Sequence, residues 1–255
     1  FVAAAPLSVV AVCQDGVVII SLHTAATDEP LIFDHQDNNK NNVTSDDNEQ
    51  NIDFRDLPQG HHGALRVLPL DDEGTAIVSV GWRTDCTILA SKCRSIASEE
   101  RGQYGTSLIQ KGEGSQIRRT RSLSYGRFLA RETSKWMAQC VFSDNVRGLS
   151  CAGLLATSEG YLWLVDATGA YRARAHALGL GSEFINKRLS KTDFSKISIE
   201  AGARKLLDIV KEEGFVKSRT QWKIPPNTVV EIALLPRDSH CIKRVKQNML
   251  PYLLK

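Results

Sequence analysis

The chain has 255 residues, 42% of them apolar and 24% charged, with 18 glycines and 8 prolines, a composition that excludes wholesale disorder and fibrous repeats. Thirty-two Lys and Arg stand against 29 Asp and Glu, a net charge of +3, too even a balance to argue for nucleic acid or an anionic membrane as partner. No apolar run approaches the ~18 to 20 residues of a membrane span, and there is no basic-then-apolar leader, so the sequence reads as soluble and intracellular.

Six cysteines, Cys13, Cys86, Cys93, Cys140, Cys151 and Cys241, include no CxxC pair. They read as buried small hydrophobes of a reducing compartment, with neither a disulfide frame nor a zinc site expected. Ser8 to Gln14 and Val17 to His23 are near-continuous apolar runs joined by Asp15-Gly16, whose chemistry predicts a tight hairpin with positive φ at the turn. Continuous rather than alternating apolarity predicts a sheet covered on both faces.

Residues 28 to 56 break the pattern, with nine acids against two bases, a net charge of −7 that leaves the remainder at +10. Without periodicity, this segment is expected to be a surface insertion, mobile at its centre. A second hairpin is predicted from Ala64 to Leu70 and Thr75 to Gly81, turning over Asp71-Asp72-Glu73-Gly74. Leu89, Cys93, Ile96 and Ala97 mark a helical stripe starting near Thr84-Asp85, either of which is a candidate cap. After a Gly-rich link, Tyr125, Phe128, Leu129, Thr133, Trp136, Met137 and Cys140 keep the 3.6 period of a longer helix.

Leu149 to Thr157 and Tyr161 to Ala167 predict a third hairpin, followed by a strand from Tyr171 to Ala177. Helices are predicted at Glu183 to Leu189 and through Ile199, Ala203, Leu206, Leu207 and Val210, the second stopped by Gly214. A last strand, Thr228 to Leu235, lies between Pro225-Pro226 and Pro236, and a basic tail, 237 to 255, with helical character closes the chain. Strands in hairpins and helices in adjacent pairs exclude a βαβ arrangement. The expected fold is α+β, a four-layer αββα sandwich of two antiparallel sheets between helix pairs, as one domain over 1–255.

Several motifs carry little chemistry. Gly179-Leu180-Gly181 lacks the third glycine and the βαβ context of a dinucleotide loop. Asp37, Asn39 and Asn41 open like a calcium loop, but Asn42 occupies the sharp-turn position and the closing Glu is missing. Asp238-Ser239-His240 are adjacent and cannot converge as a triad, and His61-His62 read as solvated rather than metal-binding. No metal or cofactor is therefore expected. Arg118, Arg119, Arg121, Arg127, Arg131 and Lys135 cluster on or before the long helix; they read as a solvated face, with an intersubunit contact or acidic partner as the sharper reading. No aromatic platform accompanies them, which argues against nucleic acid.

Ser8-Val-Val-Ala-Val-Cys-Gln-Asp-Gly-Val-Val-Ile-Ile-Ser resembles the opening strands of proteasome subunits. Arg66-Val-Leu-Pro-Leu-Asp-Asp, Thr75 to Gly81 followed by Thr84-Asp85-Cys86, Gly148 to Leu155 with Leu162 to Gly169, Gly179-Leu-Gly-Ser-Glu, and Thr228 to Leu235 are similar to later segments of the same family, in the same order. Leu180, one extra residue before Gly81 and the acidic insertion depart from the family's pattern. The resemblance implies the αββα fold of N-terminal-nucleophile hydrolases, whose catalytic members attack with an N-terminal Thr assisted by an Asp and a Lys.

Aligned on Gly16, Pro6 occupies the nucleophile position, Leu22 the Asp position, Arg66 the Lys position and Leu180 that of a small serine. Proline has no nucleophilic oxygen and arginine stays protonated, so no peptidase activity is expected. The pattern looks most like a non-catalytic α-type subunit. Such subunits form seven-membered outer rings stacked on rings of β-type subunits, so that other α-type and β-type subunits are the expected partners; they control substrate access to protein degradation and sit in cytoplasm and nucleus. Phe1-Val-Ala-Ala-Ala stands roughly where the family's first helix ends, so its Tyr-Asp-Arg gate segment is not in this sequence. The resemblance makes Arg66 a docking candidate for the C-terminal carboxylate of an activator tail. The alternatives are a silent β-type subunit, or an independent amidase of the same fold matured by cleavage.

Overall fold

The computed structural model describes residues 2–24, 65–72, 74–104, 115–143, 147–213, 228–237, 239 and 241–245. After a 3-10 turn at Val2–Ala4 come β1 (Ser8–Val12), β2 (Gly16–Thr24), β3 (Val67–Pro69), β4 (Thr75–Gly81), α1 (Arg83–Tyr104) and α2 (Ser115–Phe142). The second half holds β5 (Cys151–Thr157), β6 (Tyr161–Asp166), β7 (Gly169–Ala173), β8 (Ala175–Leu178), α3 (Ser182–Leu189), α4 (Ile199–Lys211), β9 (Thr228–Pro236) and β10 (Lys243–Arg244). The fold is α+β with two five-stranded antiparallel sheets, β10-β9-β2-β1-β8 and β3-β4-β5-β6-β7. Among the described residues no helix is long and apolar enough to cross a membrane.

Three apolar clusters explain the continuous runs. In β2, Val18, Ile20 and Leu22 join α3 and α4 residues such as Ile185 and Leu206, while Val17 and Ile19 join a cluster containing residues of both sheets. The same alternation runs through the second sheet. Val78, Leu154 and Leu162 enter the shared cluster, whereas Ile77, Leu155 and Trp163 pack with Leu89, Leu129 and Met137 of α1 and α2. Period-2 geometry sends successive side chains to opposite faces, so a strand covered on both faces must be apolar throughout. Each fully buried Leu or Ile contributes about 1.5–3 kcal/mol.

The first hairpin differs from its sequence reading. Gly16 is not among the positive-φ glycines; it is small because β2 passes β9 closely there, and a Cβ would lie 2.2 Å from the Leu235 carbonyl oxygen. Asp15 is also used elsewhere. Its carboxylate accepts the Ile199 N–H at 2.7 Å, capping α4 together with Ser198, whose hydroxyl accepts the Ala201 N–H at 3.3 Å.

Three further readings need correction. The strand expected from Tyr171 to Ala177 is two strands in different sheets: β7 pairs with β6, β8 pairs with β1, and Arg174 makes the crossing. An alternating pattern continues unchanged through such a transfer, so nothing local marks it. Helix α1 starts at Arg83, ahead of both proposed caps, and the Asp85 carboxylate is recruited by the chain before β5. The tail opens as strand rather than helix, with Lys243 and Arg244 opposite Leu234 and Ala233 of β9.

At its outer edge β8 is closed by a side chain: Asn186 Oδ1 accepts the Ala177 N–H at 2.8 Å, and its Nδ2 donates to the Ala177 carbonyl at 3.0 Å. All six cysteines are free; five are buried as read, but Cys241 is exposed. The 28–56 insertion, Gly214, Pro225-Pro226 and the end of the tail lie outside the described residues.

Candidate functional site

Pro6 lies half-buried between the 3-10 turn and β1. The chain after β8 comes up against it: the Leu180 N–H donates to the Ala5 carbonyl at 2.8 Å, and a Cβ on Gly179 would lie 2.6 Å from the Pro6 carbonyl oxygen. Pro6 and Leu180 are thus brought together through backbone. Leu22 is tied to the same segment, its N–H donating to the Leu7 carbonyl at 2.7 Å, but its side chain belongs to the core under α3 and α4.

Arg66 goes elsewhere. It precedes β3, whose Val67 enters the core shared by both sheets while Leu68 packs toward α1 and α2. Its guanidinium interacts electrostatically with the Cys86 thiol in the first turn of α1. Burial pulls the Arg66 pKa below the ordinary arginine value, with Cys86 opposing and Arg83 reinforcing that shift. The structure therefore unites Pro6 with Leu180, and leaves Leu22 and Arg66 in two separate environments.

Two hydroxyls stand at the head of β1. Ser8 and Ser21 are each 1% exposed and bonded to each other at 2.8 Å. Among the described residues, the side-chain hydrogen-bond partner of each hydroxyl is the other, and Pro6 carries no hydroxyl.

The sequence reading missed a buried charge pair beside Arg66. Glu231 of β9 accepts the Arg66 N–H at 2.8 Å and the Val67 N–H at 3.4 Å through Oε2, while Oε1 pairs with the Arg244 guanidinium. Arg244 also donates to the Val67 carbonyl at 2.5 Å. One carboxylate and one guanidinium thereby join the β9–β10 edge of the first sheet to β3 of the second. The available signal was a single acid inside the apolar run Val229 to Leu235.

A second polar joint holds the start of α1. The Asp85 side chain, 0% exposed, takes both Arg147 guanidinium nitrogens, at 2.5 and 3.1 Å, and the Ser150 N–H at 2.7 Å. Arg147 also lies 5.5 Å over the Trp82 ring. Burial works to raise the Asp85 pKa, but the bonds from Arg147 and Ser150 prevail and hold it below the usual carboxylate value. A depressed folded-state pKa contributes stability fully above the unfolded value of about 4, and that contribution disappears as pH falls through the folded value. Asp85→Asn is expected to cost about 1–3 kcal/mol at neutral pH. The gap from wild type should narrow in urea melts below pH ~4; an unchanged gap would refute the assignment.

Of the basic face on α2, Arg127, Arg131 and Lys135 are exposed; Arg172 borders the same cleft, beside Trp163. The side chains of Arg118, Arg119 and Arg121 lie outside the described residues, as do His61-His62, the calcium-like run at Asp37, and Asp238 and His240. Among the described residues no group of three His, Cys, Asp or Glu is placed to hold a metal ion. No family model matches the chain, and no curated protein matches it in sequence.

Proposed function

We propose that this chain is a non-catalytic α-type subunit of a proteasome core particle, built as a four-layer αββα sandwich. The observation that carries the reading is the element order around two antiparallel sheets: two hairpins, a helix pair, further strands, a second helix pair and a returning strand. Each helix pair shares an apolar cluster with one sheet only, and a third cluster draws on both sheets. Pro6, lacking a nucleophilic oxygen at the head of β1, supports a structural rather than a peptidase role.

On this reading the chain works by contact. It packs with α-type and β-type neighbours in a ring, contributes to control of substrate access to the degradation chamber, and belongs to the cytoplasm and nucleus. Arg66 remains the candidate for an activator's C-terminal carboxylate, its planar fork suited to bidentate pairing.

The chain carrying an affinity tag is expected to elute as part of a large ring particle, with cross-links to outer-ring neighbours. Arg66→Glu should then reduce activator binding about tenfold or more. Cross-links confined to the inner ring would favour a silent β-type subunit. A purified chain with an N-terminal Thr, Ser or Cys that hydrolyses fluorogenic peptides would establish an amidase instead.

A further inference from the structure

Arg127, Arg131 and Lys135 of α2 are exposed and stand four residues apart, so they form a row along the helix at intervals of about 6 Å. A fourth cation joins them from the sheet. Arg172 of β7 lies directly opposite Trp163 of β6, and opposite residues of an antiparallel pair project from the same face. Trp163 packs with Leu129 and Met137 of α2, which places Arg172 on the face that this helix covers. The four cations border a cleft of about 650 Å³ whose apolar walls include Leu123, Ala138 and Trp163.

The walls of the cleft are fixed by packing. Helix α2 sits so close on Trp163 that a Cβ on Gly126 would lie 2.4 Å from the indole ring. The buried Ser134 hydroxyl donates to the Asp166 carbonyl at 2.7 Å, tying the helix to the turn between β6 and β7. Strand β7 is the outermost of its sheet, so among the described residues no strand lies beyond it. A site with walls already in place loses little freedom when a ligand enters.

Its charge is of one sign. Among the described residues no Asp or Glu lines this cleft. At the adjoining turn, Asp166 is engaged by its own backbone, Oδ1 accepting the Thr168 and Gly169 N–H groups at 2.7 and 3.1 Å. Lys135 reaches Glu132 at 3.6 Å along the open helix surface, and Arg172 lies 5.1 Å over the Tyr161 ring. Among the described residues Arg127 and Arg131 have no ion-pair partner. By contrast, Glu99, Glu100 and Glu132 line the cleft between α1 and α2, and Asp193 the one beside β8 and α3. Like charges one helical turn apart repel, and a bound anion relieves that repulsion.

We propose that the cleft between α2 and β7 binds an acidic segment of a partner protein in extended conformation. Side chains on one side of an extended chain recur about every 6.6–6.8 Å, close to the interval of the α2 row. Alternate Asp or Glu residues then meet Arg127, Arg131 and Lys135 in turn, and Arg172 pairs from the opposite wall. The planar guanidinium forks suit carboxylates. A nucleic acid is the poorer match, because its bases need open ring platforms, whereas Trp163 is 4% exposed and Arg172 covers Tyr161. The proposal needs only this chain and a peptide, so it stands or falls apart from the ring assignment.

The test titrates the full chain into a fluorescein-labelled peptide alternating Glu with Ala, read by fluorescence anisotropy. Saturable binding is expected, weaker by about tenfold or more when the Glu residues are replaced by Gln, and falling as salt is raised. Arg131→Glu should weaken binding about tenfold or more, and Arg131→Gln, the milder change, should act in the same direction. Lys191→Glu makes the same charge change in the cleft beside β8 and should leave the affinity within about twofold. Equal binding of the Gln peptide, equal losses in Arg131→Glu and Lys191→Glu, or displacement by single-stranded RNA at a lower concentration than by unlabelled Glu peptide would each overturn the proposal.

Discussion

Glu231→Ala is expected to lower the unfolding free energy by about 3–5 kcal/mol, read as a shifted urea midpoint. The Glu231 and Arg244 side chains are 7% and 17% exposed, so neither charge has bulk water to fall back on. Burial already pulls the Arg244 guanidinium down to about 10, which reflects how poorly that environment supports the cation. Removing the carboxylate takes from the buried guanidinium its Glu231 partner and takes the acceptor from the Arg66 and Val67 N–H groups. Replacing both members, Glu231→Leu with Arg244→Met, removes the buried cation together with its anion and should recover part of the loss. A double variant as unstable as the single one would show that burial of the cation without this carboxylate is not the cause.

Gly81→Ala should cost more than about 3 kcal/mol. Gly81 has φ +140, and a Cβ there would meet the Ser150 carbonyl oxygen at 2.2 Å and the Cys151 Cα at 2.6 Å. Both obstacles are backbone, so no rotamer change relieves them, and the β4–β5 pairing must open at its end. Gly148→Ala is the matched control. Its nearest neighbour is a Val141 methyl at 3.3 Å and its φ is not positive, so its effect should stay within about 1 kcal/mol. Equal urea midpoints for the two variants would mean that the chains at Gly81 separate easily.

Apolar continuity and helical period made the strands and helix pairs legible in the sequence. Thr75–Gly81 was read residue for residue, and Leu89 with Cys93 does line a buried stripe of α1. What escaped was tertiary recruitment of residues whose local chemistry suggested another use. Asp15 caps a helix 184 positions away instead of serving only its turn, and Asp85 holds Ser150 instead of capping its own helix. Glu231 meets the Arg66 N–H across 165 positions. No periodic signal encodes such distances, because they are set by how the two sheets come together.

The candidate site was legible in its chemistry and less so in its geometry. An imino acid at position 6 can be read directly as the lack of a hydroxyl. That Arg66 interacts with Cys86 depends on how the chain enters β3, and a strand of three residues offers too little alternation to decide that beforehand.

Asn186 has a consequence for life at high concentration. By mimicking a neighbouring strand on both the N–H and the carbonyl of Ala177, its amide denies a second molecule the template it needs to extend the sheet. Asn186→Leu would uncover that template, and light scattering should then rise with concentration where the native chain remains clear.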